Sequence, residues 1–209
     1  MAHKTRELRS TVSKDGVLTL SLAEIVLDDP ASDEIIVRVE AAPINPSDLG
    51  LLLGPADAAS VRRDVSDGAP QLSLDIPPAR MGGMAGRINQ SLPVGNEGAG
   101  TVIAAGDQAK DWIGRRVGMI GGGMYADLRK IRTRDALPLP ESVTAAQGAA
   151  LTVNPRRRSD LSKPLGPRDI PRLSILRPHP VWVRCFNEYA RKMVCRWSIS
   201  CVLTIRCDY

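Results

Sequence analysis

Apolar and polar residues alternate along residues 34–45, with Ile35, Val37 and Val39 facing away from Ile36, Arg38 and Glu40. A period of two with one richer apolar face predicts a strand, which Pro43 and Pro46 close. Residues 47–63 bring Leu49, Leu51, Leu52 and Leu53 close together and predict a broken helix or lid that buries all four. Residues 64–91, rich in Pro, Gly and Met, predict an irregular loop over a pocket. Residues 99–105 and 115–120 read as further strands. Gly121, Gly122 and Gly123 form a turn between them and a returning strand at 124–131. After a loop at 137–142, residues 144–151 predict a short helix, because Thr144 and Gln147 have the spacing of a capping box. Short strands, glycine turns and one late helix predict a small, mostly β, barrel-like domain with antiparallel strands over residues 30–150.

The pattern breaks at Pro155. Between Pro155 and Pro180 there are six prolines and neither helical nor strand periodicity, so residues 156–180 are expected to lack regular structure. Charge changes at the same point. Residues 1–155 hold 16 Lys and Arg against 19 Asp and Glu, a net −3, whereas residues 156–209 hold 12 against 4, a net +8. The overall +5 therefore belongs to the tail, and it does not mark the body as a nucleic-acid binder. All four cysteines (Cys185, Cys195, Cys201 and Cys207) lie in the tail, without the short spacing of a zinc knuckle or redox pair. The chain divides into a domain at 1–155 and a basic Cys-, Arg- and Pro-rich tail at 156–209. With no apolar leader and no spanning stretch, the expected setting is the cytoplasm.

Three motifs in the body carry candidate chemistry. Gly121-x-Gly123-x-x-Ala126, with Glu141 further on, matches a dinucleotide fingerprint. That fingerprint works only where the glycines open a helix whose amides hold a pyrophosphate. Pro138 and Pro140 interrupt the sequel, so a hairpin turn is the expected structure. In Asn45-Pro46-Ser47-Asp48, Asn45 and Asp48 either satisfy turn amides or line a cleft. In residues 92–100, the glycines permit tight packing ahead of a strand and Glu97 is a candidate buried, paired carboxylate.

Taken in order, VRVEAAPINPSD, LPVGNEGAGTVIAAG, IGRRVGMIGGGMYADL and LPLPESVTAAQGAALTVNP resemble the N-terminal half of medium-chain dehydrogenases/reductases, nearest to the quinone reductase and enoyl reductase branches. The resemblance covers roughly residues 34–155. It implies a GroES-like barrel carrying the substrate cleft, followed in the family by a Rossmann domain for NADP or NAD. It implies hydride transfer to a quinone or a conjugated C=C or C=O, a small-molecule partner, and a homodimer in the intact protein. Carried over residue by residue, it puts Asn45, Asp48, Thr152 and Asn154 at the nicotinamide end of the cofactor. Zinc-using members place a Cys within the stretch occupied here by Ile44–Ser47, and a His–Glu pair where this chain has Asn96–Glu97. The body holds one His, His3, and no Cys, so no zinc is expected. Enoyl reductases of this type carry a Tyr shortly after the Asn-Pro-Ser-Asp block, which this chain lacks. Tyr125 is the only tyrosine of the body, and is either a catalytic acid or a packing residue.

The tail departs from the resemblance. Permissible codons for Pro171–Asn187 can be chosen so that another frame reads a strand and a small-residue turn, and this motivates the expectation of a frameshift near codon 155. On that reading the chain as written lacks the nucleotide-binding half, binds a nicotinamide cofactor weakly or not at all, and is inactive. The alternative is a non-enzymatic GroES-like module whose basic tail binds nucleic acid.

Overall fold

A computed structural model describes residues 2–66, 69–151, 153 and 202–204. Two long strands come first, β1 (His3–Val12) and β2 (Val17–Leu27). They pair antiparallel along their length, from His3 opposite Leu27 to Val12 opposite Leu18. β1 does not stand out in the apolar pattern, because it buries Thr5, Glu7 and Ser10 alongside Val12, whereas β2 alternates Leu18, Leu20 and Leu22 with Thr19 and Ser21. β3 (Glu34–Pro43) follows as predicted, then the single turn α1 (Leu49–Leu52). Leu52 is buried there and Leu51 and Leu53 are partly so, but Leu49 faces solvent, 40% exposed. One helical turn directs only part of this leucine cluster inward.

The expected irregular loop is largely ordered structure. β4 (Arg62–Ser66) and β5 (Ala69–Asp75) pair antiparallel, and a 3-10 helix runs over Pro78–Arg87. Leu72 and Leu74 are buried on β5, with Ile76 just beyond it. β5 finds its partner in β2, and the segment's high Pro and Gly content hides that pairing in the sequence. β6 (Leu92–Pro93) completes a five-stranded sheet in the order β4-β5-β2-β1-β6.

The second sheet contains β7 (Glu97–Ala105), β8 (Arg116–Ile120), β9 (Leu128–Arg132), β10 (Ala136–Pro138) and β11 (Val202–Thr204). Its order is β10-β8-β7-β3-β11, with β9 also on β3. β9 takes residues 34–38 of β3, and β11 takes residues 41–43. The expected β8–β9 hairpin does not form: β8 pairs with β7 and β10, while β9 crosses to β3. Gly121, Gly122 and Gly123 do make a turn, with φ of 139°, 83° and 67° that only glycine adopts freely. The chain then runs inward through buried Met124, Tyr125 and Ala126 before β9 starts at Leu128.

Among the described residues all the strand pairings are antiparallel, and the strands fall into two sheets with no closed barrel formed by them. A Glu7–Ala126 bridge and the Leu8 amide donating to the Tyr125 carbonyl (2.8 Å) link them. One aliphatic core fills the space between, with Leu18, Ile35, Val37, Val102, Val117 and Met119 essentially inaccessible. The predicted helix is α2 (Ala145–Gly148), with the Thr144–Gln147 capping box formed in both directions. Ala145 and Ala149 pack on Ala41 and Ala99, small side chains that let the helix lie close to β3 and β7. Tail residues 156–180 lie outside the described residues.

Candidate functional site

Two proline-bounded turns meet where β3 ends and β7 begins. The 45–48 turn closes on itself when the Asn45 amide donates to Asp48 Oδ2 (2.8 Å). Asp48 is 1% exposed, and its other oxygen accepts the Asn96 amide (3.0 Å). The Tyr125 hydroxyl sits between the Pro43 carbonyl (3.0 Å) and Asp48 Oδ2 (3.2 Å). Asp48 thus holds three donors from three separate segments. Burial, together with the charges of Asp48 and Glu97, pushes the Tyr125 phenol far above its ordinary range, so it stays neutral and donates.

Glu97, at the start of β7, is equally buried at 1% exposed. It accepts Asn45 Nδ2 on one oxygen (2.9 Å) and the Val153 amide on the other (2.8 Å). Gly95 makes this crowding possible. Its φ is +98°, and a Cβ there would lie 2.7 Å from the Tyr125 ring. Gly95 therefore serves close packing beside the Tyr125–Asp48 pair, whereas Gly98 and Gly100 let β7 lie close to the Ala41 and Arg38 carbonyls of β3.

Above this floor lies an open concavity of about 440 Å³, lined by Ser47, Asn96, Ile120, Gly121, Gly122 and Val153. Asn96 Nδ2 donates to Ser47 Oγ (2.9 Å), and the Gly121 amide donates to the Asn96 carbonyl (3.2 Å). Two of the sequence candidates, Asn45 and Asp48, thus lie directly beneath the concavity and are engaged by protein groups. Tyr125 joins the same network from below. Thr152 and Asn154 lie outside the described residues, on either side of Val153. Ser47, Asn96, Ile120 and Gly122 are lining residues that sequence reasoning did not single out as candidates. Their signal was present only as neighbours of the two motifs.

The dinucleotide-like Gly121-x-Gly123 turn opens no helix, and Glu141 is exposed in a turn beyond β10. Residues 44–47 and 96–97, the stretches that the sequence resemblance singled out for zinc ligands, do come together, through Asn45–Glu97 and Ser47–Asn96 contacts. Here amide, hydroxyl and carboxylate groups satisfy one another. Among the described residues no three His, Cys, Asp or Glu side chains gather to hold a metal ion. A second concavity, about 320 Å³ around His3, Asp29 and Asp107, lies away from this network. No helix among the described residues is long and apolar enough to cross a membrane.

No family model and no curated protein matches the chain. Crystal structures do. A Bacillus thuringiensis protein described as an NADPH:quinone reductase aligns with a TM-score of 0.51 at 21% identity, covering 76% of this chain and 40% of that one. An oxidoreductase from Mycobacterium abscessus aligns with a TM-score of 0.50 at 17% identity, covering 76% and 42%. A Mesorhizobium loti protein described as an NADPH:quinone reductase reaches 25% identity with a TM-score of 0.48, covering 73% and 41%. The chain spans about two fifths of the length of these structures. At these identities the likeness is one of fold, a mostly β, GroES-like domain built from two antiparallel sheets.

Proposed function

We propose that this domain is the substrate-side half of a zinc-independent, NAD(P)H-dependent oxidoreductase that reduces a quinone or a conjugated C=C or C=O. The observation that carries the reading is the concavity itself. Among the described residues no charged side chain lines it, yet two buried carboxylates hold its walls in place from beneath. A flat, uncharged acceptor suits such a lining, with Ile120 and Val153 offering apolar contact.

When bound, the nicotinamide cofactor supplies the hydride. The chain's own task is to orient the acceptor and meet the charge that develops on its oxygen. Ser47 Oγ accepts from Asn96, which leaves its own proton to donate, and the Gly122 amide has no acceptor among the described residues. These two are the proposed donors. Tyr125 enters the scheme as the prop under Asp48 rather than as the proton source, because its hydroxyl is buried and engaged.

The cofactor's pyrophosphate needs amides at a helix N-terminus. Among the described residues the four-residue α1 and α2 are the only α-helices, and neither follows the glycine turn. The fit is therefore confined to the nicotinamide end, where Asn45 and Asp48 shape the turn, and Thr152 and Asn154 adjoin Val153 in sequence. We propose further that residues 156–209 arise from a shifted frame near codon 155 and that the chain as written turns over no substrate.

Calorimetric titration of NADPH and NADH into this chain and into the frame-restored protein tests the reading. Binding and quinone turnover are expected only in the restored protein. Micromolar cofactor binding by the unaltered chain would show that the tail builds a nucleotide site. Salt-sensitive, sequence-independent DNA binding would instead favour the module with a basic nucleic-acid-binding tail.

A further inference from the structure

We propose that Glu97 is a positioning residue that sets the width of the concavity by clamping the segment leaving α2 against the Asn45 turn. This rests on the functional reading above only for the name of the ligand. Val153 belongs to no helix or strand, yet its amide donates to a carboxylate that is 1% exposed. The same carboxylate takes Asn45 Nδ2. Asn45 opens the turn that carries Ser47, and Val153 forms part of the facing wall. One side chain therefore ties the two walls together across the floor.

Nothing else among the described residues does this. Leu151 is buried beside α2, but no backbone hydrogen bond between described residues joins residues 150–153 to the 45–48 or 94–97 turns. Asp48, the neighbouring acid, holds Asn45, Asn96 and Tyr125, which all belong to the body of the domain. Among the described residues Glu97 alone hydrogen-bonds to the exit segment. A glutamine at position 97 has the same length but a single oxygen acceptor, so it cannot serve both donors. An aspartate keeps the charge but is one methylene short.

Amide hydrogen exchange on the full chain tests the clamp. In the unaltered protein the Val153 amide is expected to exchange at least about tenfold slower than its intrinsic rate, despite lying outside regular structure. Exchange at the intrinsic rate would overturn the proposal without recourse to any variant. In Glu97→Gln, Val153 exchange is expected to rise about tenfold while Val37 and Val102 on β3 and β7 keep their protection. Unchanged Val153 protection in a folded Glu97→Gln protein, or an equal rise at all three amides, would also overturn it. Glu97→Asp is expected to behave as Glu97→Gln does, since reach rather than charge is what it loses.

A parallel titration with 1,4-naphthoquinone, followed by amide shifts at Ser47, Asn96 and Gly122, separates the two readings. Failure of the quinone to bind the unaltered chain counts against the acceptor class. The exchange result alone decides the clamp.

Discussion

The hairpin of β4 and β5 and the junction of the 45–48 and 94–97 turns both rely on carboxylates, and they use them in opposite ways. On the hairpin, Arg62 and Asp75 form a two-pronged pair at 2.6 and 2.7 Å, with both side chains about half exposed. At the junction, Asp48 and Glu97 accept from amides and a phenol at 2.8 to 3.2 Å while sealed from water. The hairpin pair has the shorter distances, but water and salt compete for it. The junction's two acids are sealed and their donors are partly buried, so removing either acid leaves those donors without their protein partner. Burial rather than distance therefore decides which charges matter here.

Asp48→Ala should give the largest effect. It strands the Asn45 and Asn96 amides and leaves the Tyr125 hydroxyl only the Pro43 carbonyl, and should cost about 3–5 kcal/mol in chemical denaturation. A loss below about 1 kcal/mol would mean that water enters the junction, and the contrast with the hairpin would collapse.

Gly95→Ala comes next, at about 2–4 kcal/mol, because it combines a positive φ with a Cβ against the Tyr125 ring. A crystal structure of the variant should show the ring displaced from Asp48. A stable variant with the ring unmoved would refute the packing role assigned to this glycine.

Tyr125→Phe should cost about 1 kcal/mol at neutral pH. Its pH dependence sharpens the comparison. The folded phenol is held protonated well above its usual range, whereas the unfolded one ionises near pH 10. Above that pH the unfolded chain binds fewer protons, so this residue's contribution is intact below about pH 9 and falls by about 1.4 kcal/mol per unit above pH 10. The stability difference between the unaltered protein and Tyr125→Phe should therefore shrink and reverse in alkali. A difference that stays flat to pH 11 would show that the hydroxyl is not sealed.

Asp75→Asn should do least. Its carboxyl is held below the usual range by the Arg62 guanidinium, but both groups face solvent, so the melting temperature should stay within experimental scatter at high salt. A drop as large as that from Tyr125→Phe would break the rule drawn from the comparison.

The sequence by itself determined the elements whose signal is local. β3 was legible because Ile35, Val37 and Val39 lie in a short, proline-bounded apolar run, and α2 because its capping box needs only four residues. The β domain and its GroES-like fold followed from the order of four blocks. Tertiary structure alone decided the partners. β1 reads as polar because Thr5, Glu7 and Ser10 are buried where other elements meet them, with Ser10 donating to the Leu51 carbonyl and Thr5 Oγ1 accepting the Leu128 amide at 2.8 Å. β9 lies on β3 rather than beside β8, a pairing that no local periodicity encodes. The same holds at the site. Asn45, Asp48 and Glu97 were visible as polar residues in glycine- and proline-rich turns, but whether they face a ligand or the protein depends on segments about 50 to 80 positions away. A hydrogen-bonding side chain declares its chemistry in the sequence, whereas its partner is fixed only when the chain closes around it.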